Sequence, residues 1–257
     1  MAIITLTTDL GLKDYYVSAV KGSIYSQWPD AVIVDITHQI PSFNIQEAAY
    51  ILRNSYANFP KGTVHIVGVN AEVSLQTPHI ALLANGHYFI GADNGIFSLI
   101  FESPPDKIVE LNQFQELDNP TFPTRDVFTK AACHLAKGGI LDLIGTPKSE
   151  LIERMLFRPV TVGDNLRGSV IYIDSYSNVV TNITKKIIAE MGNGRKFSVR
   201  FGSHEIEKIS KTYLEVIDGE IAVLFNSAGH LEIAITRGKA SQLLNLHLGD
   251  TITLQFQ

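Results

Sequence analysis

The feature that most constrains this chain is a change of periodicity about two thirds of the way along it. Up to about residue 160, β-branched runs alternate with stretches of helical spacing; from about Leu166, short strands follow one another between Gly, Asn and Asp turns. In the first part Ile3–Thr7 reads as a buried strand, followed by the turn Asp9-Leu10-Gly11. Asp14 then opens a helix to about Trp28, with Val17, Val20, Ile24 and Trp28 on one face. Ala31–Ile36 is a second strand, and Ser42 reads as the N-cap of a helix over about 44–58. Gly62–Val69 and Ile80–Leu83 follow as strands, and His87–Ile90 pairs with the latter across Asn85-Gly86, a two-residue hairpin signal. Thr124 reads as the cap of a helix through Val127, Ala131, His134 and Leu135, closed by Gly138-Gly139. In the second part Arg167–Ile173, Lys196–Phe201, Glu220–Phe225, His230–Ile235 and Thr251–Phe256 read as strands, and only Lys185–Met191 as a helix. The prediction is an α/β layered N-terminal domain over 1–160 and a smaller all-β, barrel-like C-terminal domain over 165–257. The boundary is expected near Phe157–Asp164, where Arg158-Pro159 and Gly163-Asp164 interrupt both patterns.

At 257 residues and 45% hydrophobic content the chain has ample material for a buried core and none of the bias of disorder. Apolar runs such as Ile80–Ala84 fall far short of the roughly 18 residues of a membrane span. The N-terminal Met1-Ala2-Ile3-Ile4-Thr5 has no basic region and reads as strand, so no signal peptide is expected. The single Cys133 makes no internal disulfide or metal cluster. A net charge of −5 without a Lys/Arg block argues against nucleic-acid binding. The expectation is a cytoplasmic protein with neither nucleic acid nor membrane as partner.

Several polar groups carry possible chemistry. Asp9 stands at the C-terminal end of the first strand beside a glycine turn, where open α/β sheets place ligands. There its carboxylate suits the two hydroxyls of a ribose, although turn formation alone explains an aspartate at such a place. Asp14 reads as a helix cap or a cation ligand. Asp93-Asn94-Gly95 is a tight turn that either exposes backbone N–H groups to a ligand or simply needs positive φ. In the second part Asp174-Ser175-Tyr176-Ser177-Asn178 and Asn226-Ser227-Ala228-Gly229 gather small polar groups. Asn178 has the donor and acceptor to read an adenine edge, and Ser227 the hydroxyl to hold a carboxylate. Tyr213 and Phe43 are aromatics suited to flank a flat ring. His38, His65 and His134 read as structural histidines in apolar surroundings; His79, His87, His204, His230 and His247 read as exposed. The chain has no GxGxxG, P-loop, nucleophile elbow, HExxH or His/Cys cluster, which argues against dinucleotide, nucleoside-triphosphate and zinc chemistry.

Taken in order, these motifs resemble the S-adenosylmethionine (SAM) hydroxide adenosyltransferases, adenosine-forming SAM hydrolases related to the SAM-dependent fluorinases and chlorinases. The resemblance runs through Thr8-Asp9-Leu10-Gly11, Asp14, Tyr16-Val17, Lys21-Gly22, Asp35-Ile36-Thr37-His38 and Phe59-Pro60-Lys61-Gly62-Thr63-Val64-His65. It continues through Asp93-Asn94-Gly95, Pro120-Thr121-Phe122, Arg125-Asp126, Asp174, Asn178, Thr181-Asn182-Ile183, Asn226-Ser227-Ala228-Gly229 and Leu231-Glu232-Ile233-Ala234. It implies a homotrimer with SAM between the N-terminal domain of one subunit and the C-terminal domain of its neighbour. Asp9 would grip the ribose diol, with Phe43 packed beside the ribose. Asp14, Asp174 and Ser227 would hold the amino and carboxylate groups of the methionine part, and Asn178 would read adenine with Tyr213 stacked on it. SAM would be the substrate, with no added cofactor or metal.

The chain departs from that pattern at the water site. Where the hydrolases carry Asp-Pro-Gly-Val-Gly-Thr-x-Arg, it reads Asn70-Ala71-Glu72-Val73-Ser74-Leu75-Gln76-Thr77. Where they carry Phe-His-Gly-Arg-Asp, it reads Phe122-Pro123-Thr124-Arg125-Asp126. Asn70, Thr77 and Thr124 are therefore the candidate catalytic positions, with hydrogen-bonding groups but no proton acceptor for neutral pH. Thr124 also stands where the halogenases carry a Ser, whereas Val73 lacks the facing hydroxyl of the fluorinases. Hydrolysis of SAM to adenosine and L-methionine is the reading these residues imply. Its alternatives are a non-catalytic SAM- or adenosine-binding protein and a C5′ transferase using another nucleophile such as halide.

Overall fold

Ile3–Thr8 forms β1, whose residues from Ile4 onward are all buried, as a strand covered on both faces requires. In the computed structural model, which describes residues 2–112, 121–155 and 158–257, the chain divides into two compact units, Met1–Met155 and Leu156–Gln257. The first unit builds one mixed sheet from β1, β2 (Val32–Thr37), β3 (Val64–Gly68), β4 (His79–Ala84), β5 (His87–Ala92), β6 (Lys107–Leu111) and β7 (Gly145–Pro147). Their order is β2-β1-β3-β5-β4-β6-β7. β2, β1, β3 and β5 are parallel, and the rest of the sheet is antiparallel. The chain leaves β1 for β2 on one side and returns to β3 on the other, so the strand order reverses between β1 and β3. In an open α/β sheet the loops after such strands form the crevice where ligands bind.

Alternation along these strands feeds two core clusters. Ile4, Leu6 and Ile66 pack with Val20 and Ile24 of α1 (Tyr16–Gln27) and with Ala131, Ala132 and Leu135 of α4 (Thr129–Ala136). Val67, Leu82 and Phe89 pack with Ala48 and Leu52 of α2 (Ile45–Ser55) and with Phe97 of α3 (Ile96–Ile100).

The helix starts differ from the sequence expectations. Asp14 is exposed and caps nothing: the residue before α1 is Tyr15, with no side-chain cap. Asn44, not Ser42, caps α2, its side chain accepting from the Glu47 N–H, because that residue lies within one turn of the free N–H groups. Thr124 does not cap α4; it lies inside a π-helical turn, Thr124–Phe128, that leads into the helix. The Asn85-Gly86 hairpin is as expected, with both turn residues at positive φ and Ala84 opposite His87. Strands β6 and β7 and helix α3 were not foreseen.

The second unit is strand-rich. It comprises β8 (Val160–Val162), β9 (Asn165–Ile173), β10 (Val179–Thr184), β11 (Phe197–Phe201), β12 (His204–Ile206), β13 (Ile221–Phe225), β14 (His230–Ile235) and β15 (Thr251–Phe256). An antiparallel path β12-β11-β15-β9-β10-β14-β13 carries β8 on β9. A bridge between Ser210 and Leu224 ties the segment after β12 to β13, so the sheet nearly closes on itself. Its core is Val170, Val179, Ile183, Val199, Phe201, Leu231, Ile233, Ile252 and Leu254. The expected helix is α5 (Lys185–Gly192), capped by Thr184; a short α6 (Ala240–Leu243) was not foreseen. The chain thus has an α/β part followed by a strand-rich part. Phe157, one end of the expected boundary, and Pro120 of the resembling motif lie outside the described residues. No helix among the described residues is long and apolar enough to cross a membrane.

Candidate functional site

In the first unit Asp9, Phe43, Asn70 and Thr124 come together where β1, β2 and β3 end. Asp9 follows β1 directly, and its backbone N–H donates to the Gly68 carbonyl at 3.3 Å, continuing the β1–β3 pairing. Its Oδ2 accepts the backbone N–H of Phe43 at 2.9 Å and that of Asn70 at 3.2 Å. Phe43 belongs to the loop after β2 and Asn70 to the loop after β3, so one carboxylate oxygen gathers two loops. Both donors sit at positive φ, 66° and 46°, a conformation that asparagine adopts readily but that an aromatic such as Phe43 holds only when its surroundings enforce it. No protein group among the described residues bonds Oδ1 of Asp9, and Phe43 is 68% exposed. An open carboxylate oxygen, with an exposed aromatic on a loop that the same carboxylate holds, suits a hydroxylated ring.

The loop carrying Asp9 is braced from below. The Thr8 hydroxyl and His38 Nδ1 share a 2.8 Å hydrogen bond, and the Gly11 N–H donates to the His38 carbonyl at 2.8 Å. His38 Nε2 lies 3.2 Å from Asp35 Oδ1, off the line of a good hydrogen bond, and Lys21 Nζ donates to Asp35 Oδ2 at 2.6 Å. Burial raises the Asp35 pKa, but Lys21 and His38 outweigh it, so the carboxyl titrates below its ordinary range. Asp93-Asn94-Gly95 points its polar groups inward. Asp93 is fully buried, accepts the Ile152 N–H at 3.0 Å, and has its pKa raised chiefly by burial. Asn94 donates to the carbonyls of Val69 and Asn70, which fixes the Asn70 loop. This turn is an anchor.

The three water-site candidates separate. Asn70 stands at Asp9. Thr124 is buried, with its side chain against Gly68 and near Thr8, so it too lies at the ends of β1 and β3. Thr77 lies further out: its hydroxyl shares a 2.7 Å hydrogen bond with that of Ser74, and both backbones close the same turn. Asp14 is exposed. His79 and His87, expected at the surface, are buried instead, because strand ends in a doubly covered sheet remain interior. His79 Nε2 donates to the Ala71 carbonyl at 2.8 Å and so holds the Asn70 loop; burial lowers its pKa and keeps the ring neutral. His65 is structural as expected, bonded to Thr5 and stacked on Phe89. The open groove between α1 and α4, lined by Ser23, Gln27, Lys130 and His134, contains none of the candidates.

The second unit brings its own candidates to β9, β10 and β14. Asp174 closes the β9–β10 turn: Oδ1 accepts the N–H groups of Tyr176 and Asn178, and Oδ2 accepts from the Asn178 side-chain amide at 3.1 Å. Asn178 is buried, and its orientation is therefore set by Asp174. Tyr213, 42% exposed, leads a 3₁₀ turn, Tyr213–Glu215, and its hydroxyl donates to Glu232 Oε1 at 2.7 Å. Asn226 folds the β13–β14 turn by accepting from Ala228 and His230, which leaves Ser227 exposed at its tip. Asn226 also donates to Glu232 Oε2 at 3.1 Å. Glu232 was not a candidate from the sequence. Its signal there was a lone acid inside the apolar run Leu231–Ile235. Among the described residues no group of three or more His, Cys, Asp or Glu side chains is arranged to hold a metal ion.

Comparison with known proteins places this chain in a family. A model described as the SAM hydroxide adenosyltransferase N-terminal domain matches residues 4–145, and one described as the C-terminal domain of the same family matches residues 168–253. The chain is similar to the (R)-S-adenosyl-L-methionine hydrolase of Methanocaldococcus jannaschii, with 33% identity covering 98% of this chain and 95% of the relative. It is more distantly similar to the fluorinase of an Actinoplanes species, at 24% identity over 98% of this chain and 97% of that protein. Among solved structures, an uncharacterised conserved protein from Thermotoga maritima superposes with a TM-score of 0.89 at 31% identity, covering 98% of this chain and all of its own.

Proposed function

This chain belongs to the SAM hydroxide adenosyltransferase family, and from that premise we propose that it binds SAM and hydrolyses it at C5′ to adenosine and L-methionine. The observation that carries the reading is Asp9. Its carboxylate sits at the strand-order reversal of an α/β sheet, organises the loops of Phe43 and Asn70 with one oxygen, and leaves the other open. That open oxygen accepts the ribose diol, and the exposed Phe43 face packs beside the ribose. Asp14, Asp174 and Ser227 hold the charged groups of the methionine part, while Asn178 reads adenine beneath Tyr213. The fold reading behind this has helices layered on the first sheet and the second sheet curled into a barrel, with SAM binding by residues 1–160 and by 165–257. The proposal includes a cytoplasmic homotrimer in which subunits complete one another's sites. Light scattering that finds a monomer at micromolar concentration sinks that part of it.

The chemistry asks little of acids and bases. Water oxygen forms a bond to C5′ as the C5′–S bond breaks; the electron pair passes to sulfur, and methionine leaves as a neutral thioether. The water proton goes to solvent. Since the leaving group needs no proton and no metal, catalysis consists of holding water in line with the C–S bond and excluding bulk solvent. Asn70 and Thr124, both beside the end of β1, orient that water by hydrogen bonding; Thr77 joins them only by giving up its bond to Ser74. Loss of a positioned acid–base group typically costs about 10²–10⁴-fold, so the expected activity is slow.

Purified protein incubated with SAM, with and without halide, and followed by chromatography tests this. Slow adenosine formation independent of halide is expected, rising when Asn70→Asp, Thr77→Arg and Pro123→His are introduced together; single changes do little, because groups acting as a unit are not additive. Tight SAM binding without adenosine establishes the non-catalytic reading instead, and a halogenated nucleoside establishes the transferase.

A further inference from the structure

Strand β14 reads His230-Leu231-Glu232-Ile233-Ala234-Ile235, and every residue after His230 is buried. A carboxylate on such a strand is an expense to the fold, since an apolar residue of similar size is usually at least as stabilising there. Glu232 is 3% exposed, yet both of its oxygens are engaged: the Tyr213 hydroxyl donates to Oε1 at 2.7 Å and the Asn226 amide donates to Oε2 at 3.1 Å. The two donors come from different places, one from the 3₁₀ turn ahead of β13 and one from the turn after it. Asn226 is further constrained, because its oxygen accepts the Ala228 and His230 N–H groups and so folds the turn that presents Ser227. Its nitrogen must therefore face Glu232.

Resting on the function given above, we propose that Glu232 is a positioning residue: an acceptor-only carboxylate that locks the Tyr213 ring and the Asn226–Gly229 turn into one frame for the adenosyl and methionine ends of SAM. The demand for an acceptor is strict on the Asn226 side. An ionised carboxylate only accepts, whereas a protonated acid or a glutamine presents a donor on one side. The phenol can rotate to accept, but the Asn226 nitrogen cannot, so a neutral group must turn its donor to Tyr213 and its oxygen to Asn226, and it loses the charge that strengthens both hydrogen bonds. The frame is tightest while Glu232 is ionised.

Burial is the largest influence on this group and pushes its pKa up. Hydrogen bonds from Tyr213 and Asn226 pull it down, and the charge of Asp174 pushes it up again. The Tyr213 phenol is pushed up too, first by burial and then by Glu232, so it remains a donor. Tyr213 and Asp174 are the titratable groups facing Glu232, beside His230 on its own strand; β10, β13 and α6 carry none. Ligand affinity is therefore lost as pH falls through a midpoint above the ordinary glutamate range.

The test follows the Glu232 carboxyl and the Asn226 side-chain amide by NMR during a pH titration of the wild-type protein, together with adenosine calorimetry on wild type, Glu232→Gln and Tyr213→Phe. The two NMR signals are expected to move together with that raised midpoint. Adenosine affinity of the wild type falls through the same midpoint. Glu232→Gln binds about tenfold more weakly, as expected for one net hydrogen bond, and loses that midpoint. Tyr213→Phe keeps the Asn226 titration. A Glu232→Gln protein that binds adenosine like wild type at every pH, or an Asn226 amide indifferent to Glu232, overturns the proposal. If Glu232→Gln fails to fold, the wild-type titrations decide alone. A wild type that binds neither adenosine nor SAM overturns the functional reading, and the coupled NMR titration then decides whether the frame exists.

Discussion

Each oxygen of Asp9 has its own task, and substitutions separate them. Oδ2 holds the N–H groups of Phe43 and Asn70, whereas Oδ1 is open. In Asp9→Asn the amide oxygen still accepts both N–H groups, but an NH₂ group faces the ribose. We expect the fold to survive and the affinities for adenosine and SAM to fall together by about 10–150-fold, the worth of hydrogen bonds to a charged group. Asp9→Ala gives the same loss and also releases two loops held at positive φ, lowering the melting temperature. Calorimetry with adenosine and thermal melting of both variants check this; unchanged adenosine affinity in Asp9→Asn removes Asp9 from the ligand. The position of Asp9 at the end of β1 was legible because a β-branched run closed by a glycine turn is a local pattern. Its hold on Phe43 and Asn70 was not, since the three residues are far apart in sequence and only the parallel alignment of β1, β2 and β3 brings them together.

The join between β3 and the π-helical turn is the element most sensitive to volume. A Cβ on Gly68 stands 2.8 Å from both Oγ1 and Cγ2 of Thr124 and 3.2 Å from Cγ2 of Thr8. Gly68→Ala is therefore expected to cost about 1–3 kcal/mol through overpacking, and Gly68→Ala combined with Thr124→Ala to recover part of it. Denaturant unfolding of the two single variants and the double variant measures the coupling; additive effects contradict the contact. Thr124 shows why the sequence misplaced some helix starts. A threonine before an apolar helical run has the chemistry of a cap, but the chain had already begun to wind at Pro123, which turned the side chain inward against the strand. Asn85-Gly86 was legible for the opposite reason: its demand for two positive φ values is local, and nothing distant overrides it.

For the protein as a whole, acid stability depends on buried histidines in the first unit. Burial, with His87 alongside, lowers the His65 pKa to about 3; burial likewise lowers those of His79 and His87. The unfolded chain takes up these protons near the ordinary histidine value, so it binds more protons than the folded state in acid. Stability therefore falls as pH drops below about 6.5 and keeps falling toward about 3, by an amount of order a few kcal/mol. Melting temperatures across that range should decline steadily; a melting temperature flat from neutral pH to pH 4 contradicts the neutral, buried state of these rings.

The sequence alone determined the order of an α/β part and a strand-rich part, the hairpin at Asn85-Gly86, and the residues of the resembling family, because periodicity, turn chemistry and motif spacing are properties of short segments. Tertiary structure decided the rest. His79 and His87 are interior, Asn44 rather than Ser42 caps α2, Asp93 faces inward, and Glu232 joins Tyr213 to Asn226. Each of these depends on which segments the sheets bring side by side, and burial and hydrogen-bond partners across such distances exist only once the strands have paired.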